Sequence, residues 1–179
     1  MLVNLNEVLV PAKEGKYAVG LFNTVNLELA RGVIAAAEEL NSPVIIGTAK
    51  ILLPYGPLED LARMLIPMAE RANVPVVVHL DHGLKEETCR QALEAGFSSV
   101  MYDCSAEEYN HNMEKVQRMT ELAHSYGASV EAELEPINSH QNLIMTESGK
   151  FQRQQQRRLY CTVAQDCRMK VLKKRLRAV

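Results

Sequence analysis

The sequence predicts an α/β fold, a parallel sheet of five strands joined by amphipathic helices. Three observations predict it. Short β-branched, apolar runs recur along the chain, Val76 to Leu80 being the most regular, and such runs suit interior strands buried on both faces. Between them lie stretches whose apolar residues recur at helical spacing, and strand–helix alternation means parallel pairing through right-handed crossovers. Acidic and histidine side chains also collect where the strands stop, at Asp81-His82-Gly83, at Asp103, and at Glu131 and Glu133. That edge of a parallel sheet is where α/β folds keep their chemistry.

Taken in order, residues 4–15 form a short opening helix interrupted by Pro11, and Tyr17 to Phe22 is the first strand. Asn26 caps a helix that turns Leu29, Ala30, Val33, Ile34 and Ala37 inward, and Asn41-Ser42-Pro43 stops it. Val44 to Ile46 is the second strand, opening into Gly47-Thr48-Ala49. Pro54-Tyr55-Gly56-Pro57 is a turn, followed by a helix on Leu58, Leu61, Ala62, Leu65, Ile66 and Ala69. Val76 to Leu80 is the third strand. A helix over Glu86–Ala95 buries Cys89, Ala92 and Leu93 and ends on Gly96, a residue suited to a left-handed cap. Ser98 to Asp103 is the fourth strand. Ser105-Ala106-Glu107-Glu108 has the Ser-x-x-Glu form of a capping box. The helix it opens carries Met113, Val116, Leu122 and Ala123 inward and closes at Gly127, and Ala128 to Leu134 is the fifth strand.

With 179 residues, 47% of them apolar and 23% charged, the chain is long enough to bury one domain core. No apolar stretch reaches membrane-spanning length and the first residues lack a basic region followed by an apolar one, so a cytoplasmic compartment is expected. Cys89, Cys104, Cys161 and Cys167 lack paired zinc-finger spacing and are expected as reduced thiols, the first two packed on the core. Residues 1–149 hold 10 basic against 21 acidic side chains, a balance of −11, whereas residues 150–179 hold 10 basic against Asp166 alone, a balance of +9.

Five strand–helix units fit either a complete doubly wound sheet or part of a (β/α)8 barrel, which needs about 250 residues. The strand ends favour the barrel. In the fifth strand, alternation places Val130, Ala132 and Leu134 on one face and Ser129, Glu131 and Glu133 on the other. Carboxylates on an interior strand need a cation to meet them; a solvated edge strand would leave them in water. Together with Asp81, His82 and Asp103 they form a hard oxygen set with an imidazole, as for a divalent metal. In a continuing strand Asp81 and His82 point to opposite faces, so the chain is expected to turn at Gly83. His79 is expected as a satisfied core residue, His111 and His124 as surface groups, and His140 lacks neighbours that support a ligand role.

These strand-end motifs resemble the class II, metal-dependent fructose-bisphosphate aldolases and their tagatose-bisphosphate relatives. The likeness is carried by Tyr17-Ala18-Val19-Gly20-Leu21-Phe22-Asn23, Ser42 to Thr48, Val76 to Gly83, Gly96 to Asp103 and Gly127 to Leu134. It implies a (β/α)8 barrel, here an incomplete one of about five units over residues 1–134, with a divergent basic tail over 135–179. It also implies reversible aldol cleavage of a ketose bisphosphate, with zinc polarising the carbonyl of dihydroxyacetone phosphate and a second or monovalent cation alongside. By the same resemblance Asp81 is the acid/base residue, His82, Asp103 and Glu133 are metal ligands, and Asn23 and Thr48 contact substrate. Glu131 lies nearby without an assigned role.

The chain departs from the family after Leu134. Glu135-Pro136-Ile137-Asn138 stands where a glycine-rich loop is expected, and neither the further zinc histidines nor the phosphate loops are recognisable in residues 135–179. A non-catalytic family member is therefore the competing reading. The Gln- and Arg-rich tail, Phe151 to Arg158 and Lys170 to Arg177, has too few aromatics for a nucleic-acid arm. A change of reading frame, or a junction with unrelated coding sequence, explains the shift in composition; translation of the nucleic acid beyond Leu134 in all frames tests it. A barrel stopped at its fifth strand leaves two open edges and an uncovered inner face, and association with further copies is expected.

Overall fold

The computed structural model describes residues 1–133 and the backbone of two further strands, 142–145 and 151–153. The parallel strands are β1 (Gly20–Asn23), β2 (Val44–Ala49), β3 (Val76–Gly83), β4 (Ser99–Tyr102) and β5 (Ser129–Glu133). They lie in the sheet in chain order. A doubly wound sheet reverses its strand order at a switch point; this one never does, so every crossover steps the same way, as in a barrel wall. Five strands of that wall are present, an incomplete (β/α)8 barrel.

Helix packing follows from the winding. Helices α2 (Leu27–Glu39), α3 (Leu58–Arg71), α4 (Glu86–Glu94) and α5 (Tyr109–Ser125) all contribute to one apolar layer. Its strand side is made of alternate residues, Val44 and Ile46, Val76, Val78 and Leu80, Val100, Val130 and Ala132. The intervening residues point into the barrel. There α1 (Leu5–Gly15) packs Leu5, Val8 and Ala12 against Val19, Ile45 and Val77. The expected uncovered inner face is thus partly closed by the opening helix, which Leu5 N–H ties to Ser129 Oγ at 2.9 Å.

Several local expectations need correction. Pro11 lies inside α1 without ending it, and Asn4 and Glu7 close a capping box. Lys16 then leaves the helix at φ 54 and Tyr17 N–H bonds back to the Ala12 carbonyl, so the first strand starts at Gly20 and not Tyr17. Asn26 caps α2 as expected, but Leu29 is 48% exposed, one residue off the inward stripe of Ala30, Ile34 and Ala37. Pro54 and Tyr55 belong to a 3₁₀ helix, Lys50–Tyr55. Gly96 and Gly127 take φ 95 and 71 at the ends of α4 and α5, the left-handed caps expected of them. Ser105 does not cap α5; Glu108 does, accepting from Asn110 N–H.

Beyond β5 the sheet changes character. β6 (Asn142–Met145) pairs antiparallel with β5, and β7 (Phe151–Arg153) antiparallel with β6. The β5 edge is therefore covered by a hairpin and not open as expected, while β1 has one strand neighbour among the described residues. Leu134, His140, Cys161, Cys167 and most of the basic tail lie outside the described residues.

Candidate metal centre

Three strand ends converge on one point. In β3, Leu80 pairs with Val100 and Gly83 with Tyr102, so three steps on β3 face two on β4, a β-bulge. The extra residue is His82, held at φ 50, a left-handed conformation that a side chain adopts only at a cost. The turn that brings Asp81 and His82 to one site is thus made at His82, not at the expected Gly83. Gly83 stays in the strand, where a Cβ would meet Cys89 Sγ at 2.5 Å and the Met101 carbonyl at 2.7 Å.

Asp103 follows β4 directly, and its Oδ2 lies 2.9 Å from His82 Nδ1. Its Oδ1 accepts from Ser105 N–H at 3.1 Å and from the Ser105 hydroxyl at 2.6 Å. Ser105 thus spends its hydroxyl on a carboxylate instead of a helix end. Glu133, the last residue of β5, completes the group: one ligand atom from each of His82, Asp103 and Glu133 lies within 4.8 Å of the others. Asp81 is 4% exposed. Its Oδ2 accepts from Asn23 Nδ2 at 2.9 Å, and its Oδ1 is 3.9 Å from His82 Nε2.

The electrostatics show what the group lacks. The hydrogen bond to Asp103 raises the His82 pKa to about 9, against the opposing cost of its burial. The same bond, aided by Ser105, lowers Asp103 to about 2. Burial first, then Asp103, pushes Glu133 up, and burial with Asp81 raises Glu131 to about 7. Neighbouring carboxylates disfavour one another's charge, and the proton on His82 that Asp103 favours stands where a cation would offset the same negative charge. One imidazole and two carboxylates also match the donor set of a divalent metal. Ligands about 2.1 Å from a shared ion lie roughly 3.4 Å apart; His82 and Asp103 already approach to 2.9 Å, and the whole group lies within 4.8 Å. The residues fit a metal.

The remaining candidates fall on either side of this point. Glu131 is 6% exposed, so the solvated edge strand is excluded for it as for Glu133 at 5%. Glu131 lies inside the barrel with Oε2 3.5 Å from His79 Nε2 and is not one of the three grouped ligands. His79 is fully buried as expected and bonds Ser99 Oγ through Nδ1 at 2.8 Å, but its Nε2 lacks a hydrogen bond among the described residues. Thr48 is fully buried and its Oγ1 has no partner there; alternation puts it on the helix-facing side with Val44 and Ile46. Asn23 is brought to the site and Thr48 is not. His111 and His124 are exposed as expected. Cys89 and Cys104 are free and buried, and burial pushes the Cys89 thiol up to about 12.

Sequence reading passed over Asn112. It is fully buried in the first turn of α5 and its Nδ2 donates to the Glu133 carbonyl at 2.8 Å. A signal was there: Asn112 stands four residues before Val116 on the inward stripe, a polar residue at an apolar position.

Comparison with known proteins identifies the family. The family described as "Fructose-bisphosphate aldolase class-II" matches residues 3–171, further along the chain than the motifs up to Leu134 reach. A fructose-bisphosphate aldolase of Thermus caldophilus is 45% identical over 134 residues, covering 75% of this chain and 44% of the relative. A protein named "Probable fructose-bisphosphate aldolase" from Bacillus subtilis (strain 168) is 41% identical over 149 residues, covering 82% of this chain and 52% of its own. The crystal structure of the YdjI aldolase from Escherichia coli K12 superposes with a TM-score of 0.72 at 37% identity, covering 75% of this chain and 51% of the other. The chain spans about half the length of the relatives it matches. With the barrel order, the strand-end group and the family match in agreement, this chain belongs to the class II fructose-bisphosphate aldolase family.

Proposed function

We propose that residues 1–134 supply the Asp–His–carboxylate part of a zinc-dependent aldolase centre. Its reaction is the reversible cleavage of fructose or tagatose 1,6-bisphosphate to dihydroxyacetone phosphate and glyceraldehyde 3-phosphate. The observation that carries this reading is the convergence of His82, Asp103 and Glu133 within 4.8 Å, with Asp81 Oδ1 3.9 Å from His82 Nε2.

A divalent ion held by His82, Asp103 and Glu133 supplies Lewis-acid polarisation of the substrate carbonyl. Asp81 acts on the other half of the substrate. It takes the proton from the hydroxyl on the carbon that becomes the aldehyde; the bond to the neighbouring carbon breaks, and its electron pair moves toward the carbonyl of the other fragment. In the synthetic direction Asp81 returns the proton. Asn23 holds the Asp81 carboxylate by one oxygen, leaving the other for the substrate hydroxyl.

A second reading, a non-catalytic family member, is favoured by ligand count. His82 is the one imidazole in the grouped ligands, whereas catalytic zinc has three protein ligands and most often several histidines. A retro-aldol assay on fructose and tagatose bisphosphates, with zinc measured on the same sample, separates the two. Cleavage abolished by chelation and restored by zinc supports the aldolase. Zinc bound without turnover supports the non-catalytic member, and cleavage indifferent to chelation overturns the metal-dependent reading.

A further inference from the structure

We infer that Asn112 is a positioning residue for the metal centre, acting through Glu133. The inference rests on the metal reading above and adds a residue outside the ligand set.

Asn112 sits where an apolar side chain is the default. The α5 residues that share its side of the helix, Val116, Met119 and Ala123, are buried in the helix–sheet layer. Its Nδ2 donates to the Glu133 carbonyl at 2.8 Å, while its Oδ1, equally buried, has no hydrogen-bond partner among the described residues. An amide with one end unpaired in such a layer is a poor choice for stability alone, since burial of an unsatisfied acceptor is costly. What it achieves is at the other end. Glu133 is the last residue of β5, paired on one side with β6 at Asn142, and α5 holds its backbone carbonyl through this amide. Anchoring the carbonyl restrains the end of β5, the backbone from which the Glu133 carboxylate reaches the group with His82 and Asp103. Groups that orient a ligand in this way commonly matter to metal affinity by about 10–100-fold.

Ser105 orients Asp103 through its side chain, and Asn112 orients Glu133 through its backbone. Asp103 and Glu133 thus each have a support, one from the segment before α5 and one from its first turn.

The experiment is a double-mutant cycle on the full chain, read as zinc affinity by competition with a chromophoric chelator, with metal-free thermal melts alongside. Asn112→Leu keeps the branched shape and the number of heavy atoms, in a bulkier side chain, and removes both the donor and the unpaired acceptor; Asn112→Asp, isosteric, serves if the leucine variant does not fold. We expect Asn112→Leu to weaken zinc binding about 10-fold while the metal-free melt stays near that of the parent. In a Glu133→Gln background the same substitution should change affinity less than about twofold, because the carboxylate it positions is gone. Parent-like affinity in the single variant overturns the proposal, as does a loss that persists undiminished in the Glu133→Gln background. If the parent chain binds no zinc, or Glu133→Gln leaves its binding unchanged, the metal reading itself fails and this inference with it.

Discussion

His82 Nδ1 and Asp103 Oδ2 stand 2.9 Å apart, a proton shared between the ends of two adjacent strands where the family's chemistry calls for a metal. A metal held there as proposed above would compete with that proton for the same imidazole. Below its ordinary pKa of 6.5 His82 is charged in folded and unfolded chains alike; its folded value of about 9 therefore contributes stability that is full below 6.5 and lost as pH rises through 9. Asp103, lowered from 3.8 to about 2, contributes stability that is full above 3.8 and lost as pH falls through 2. Glu131 contributes a separate loss at lower pH: raised from 4.5 to about 7, it penalises folding as pH climbs through that range. The metal-free chain should therefore lose melting temperature steadily between pH 6.5 and 9. Zinc should bind more tightly over the same range and release protons as it does so. A thermal melt series in chelator, and calorimetry in buffers of different ionisation enthalpy, check both; a flat profile would remove His82 from the site.

Ser105 holds Asp103 Oδ1 with a 2.6 Å hydroxyl bond. Ser105→Ala should leave fold and core untouched, since the hydroxyl does not cap α5, and should weaken zinc binding by about 10-fold. Equilibrium competition for zinc measures it. Unchanged affinity would make the bond a local turn contact.

Asp81 is expected to matter to turnover and not to binding. Where cleavage activity is measured, Asp81→Asn should lower kcat by about 10²-fold or more with KM little changed. Asn23→Ala, which frees Asp81 Oδ2, should show a smaller loss of the same kind. An Asp81→Asn rate equal to the parent's would take Asp81 out of proton transfer.

Gly47 faces His79 across the β2–β3 ladder, and a Cβ there would sit 1.9 Å from the His79 carbonyl oxygen. Two backbones cannot move apart as a flexible side chain can. Gly47→Ala should cost about 3 kcal/mol, read as a fall in the urea midpoint. A change under about 0.5 kcal/mol would show that the strands can separate without penalty.

Association remains expected, through fewer surfaces than an open five-stranded wall offers. The hairpin covers β5 and α1 covers part of the inner face, so that among the described residues the sheet ends at β1 on one side and at β7 on the other, and edge strands offer backbone for pairing. Light scattering after size-exclusion chromatography should find a defined oligomer; a monodisperse monomer would overturn it.

Periodicity alone determined much of this protein. Strand and helix alternation, the inward stripe of each helix, and the caps at Asn26, Gly96 and Gly127 follow from local rules of chain geometry, and local rules are legible in one dimension. The acidic strand ends were legible for the same reason: two glutamates two residues apart on a buried strand share a face wherever the strand goes. Periodicity did not separate barrel from doubly wound sheet, because both wind from the same units and differ in the order in which strands lie side by side, a property of the assembled sheet; the strand-end residues and their resemblance favoured the barrel, and the strand order agrees. The bulge at His82 belongs to that level too, since an extra residue in β3 exists only relative to the residues of β4 it faces. Ser105 reads as a helix cap until Asp103 is seen to reach its hydroxyl first. Asn112 reads as an exception in an apolar stripe until the Glu133 carbonyl arrives from 21 residues away. Spacing determines which face a side chain takes; which group meets it there is decided only when distant segments pack.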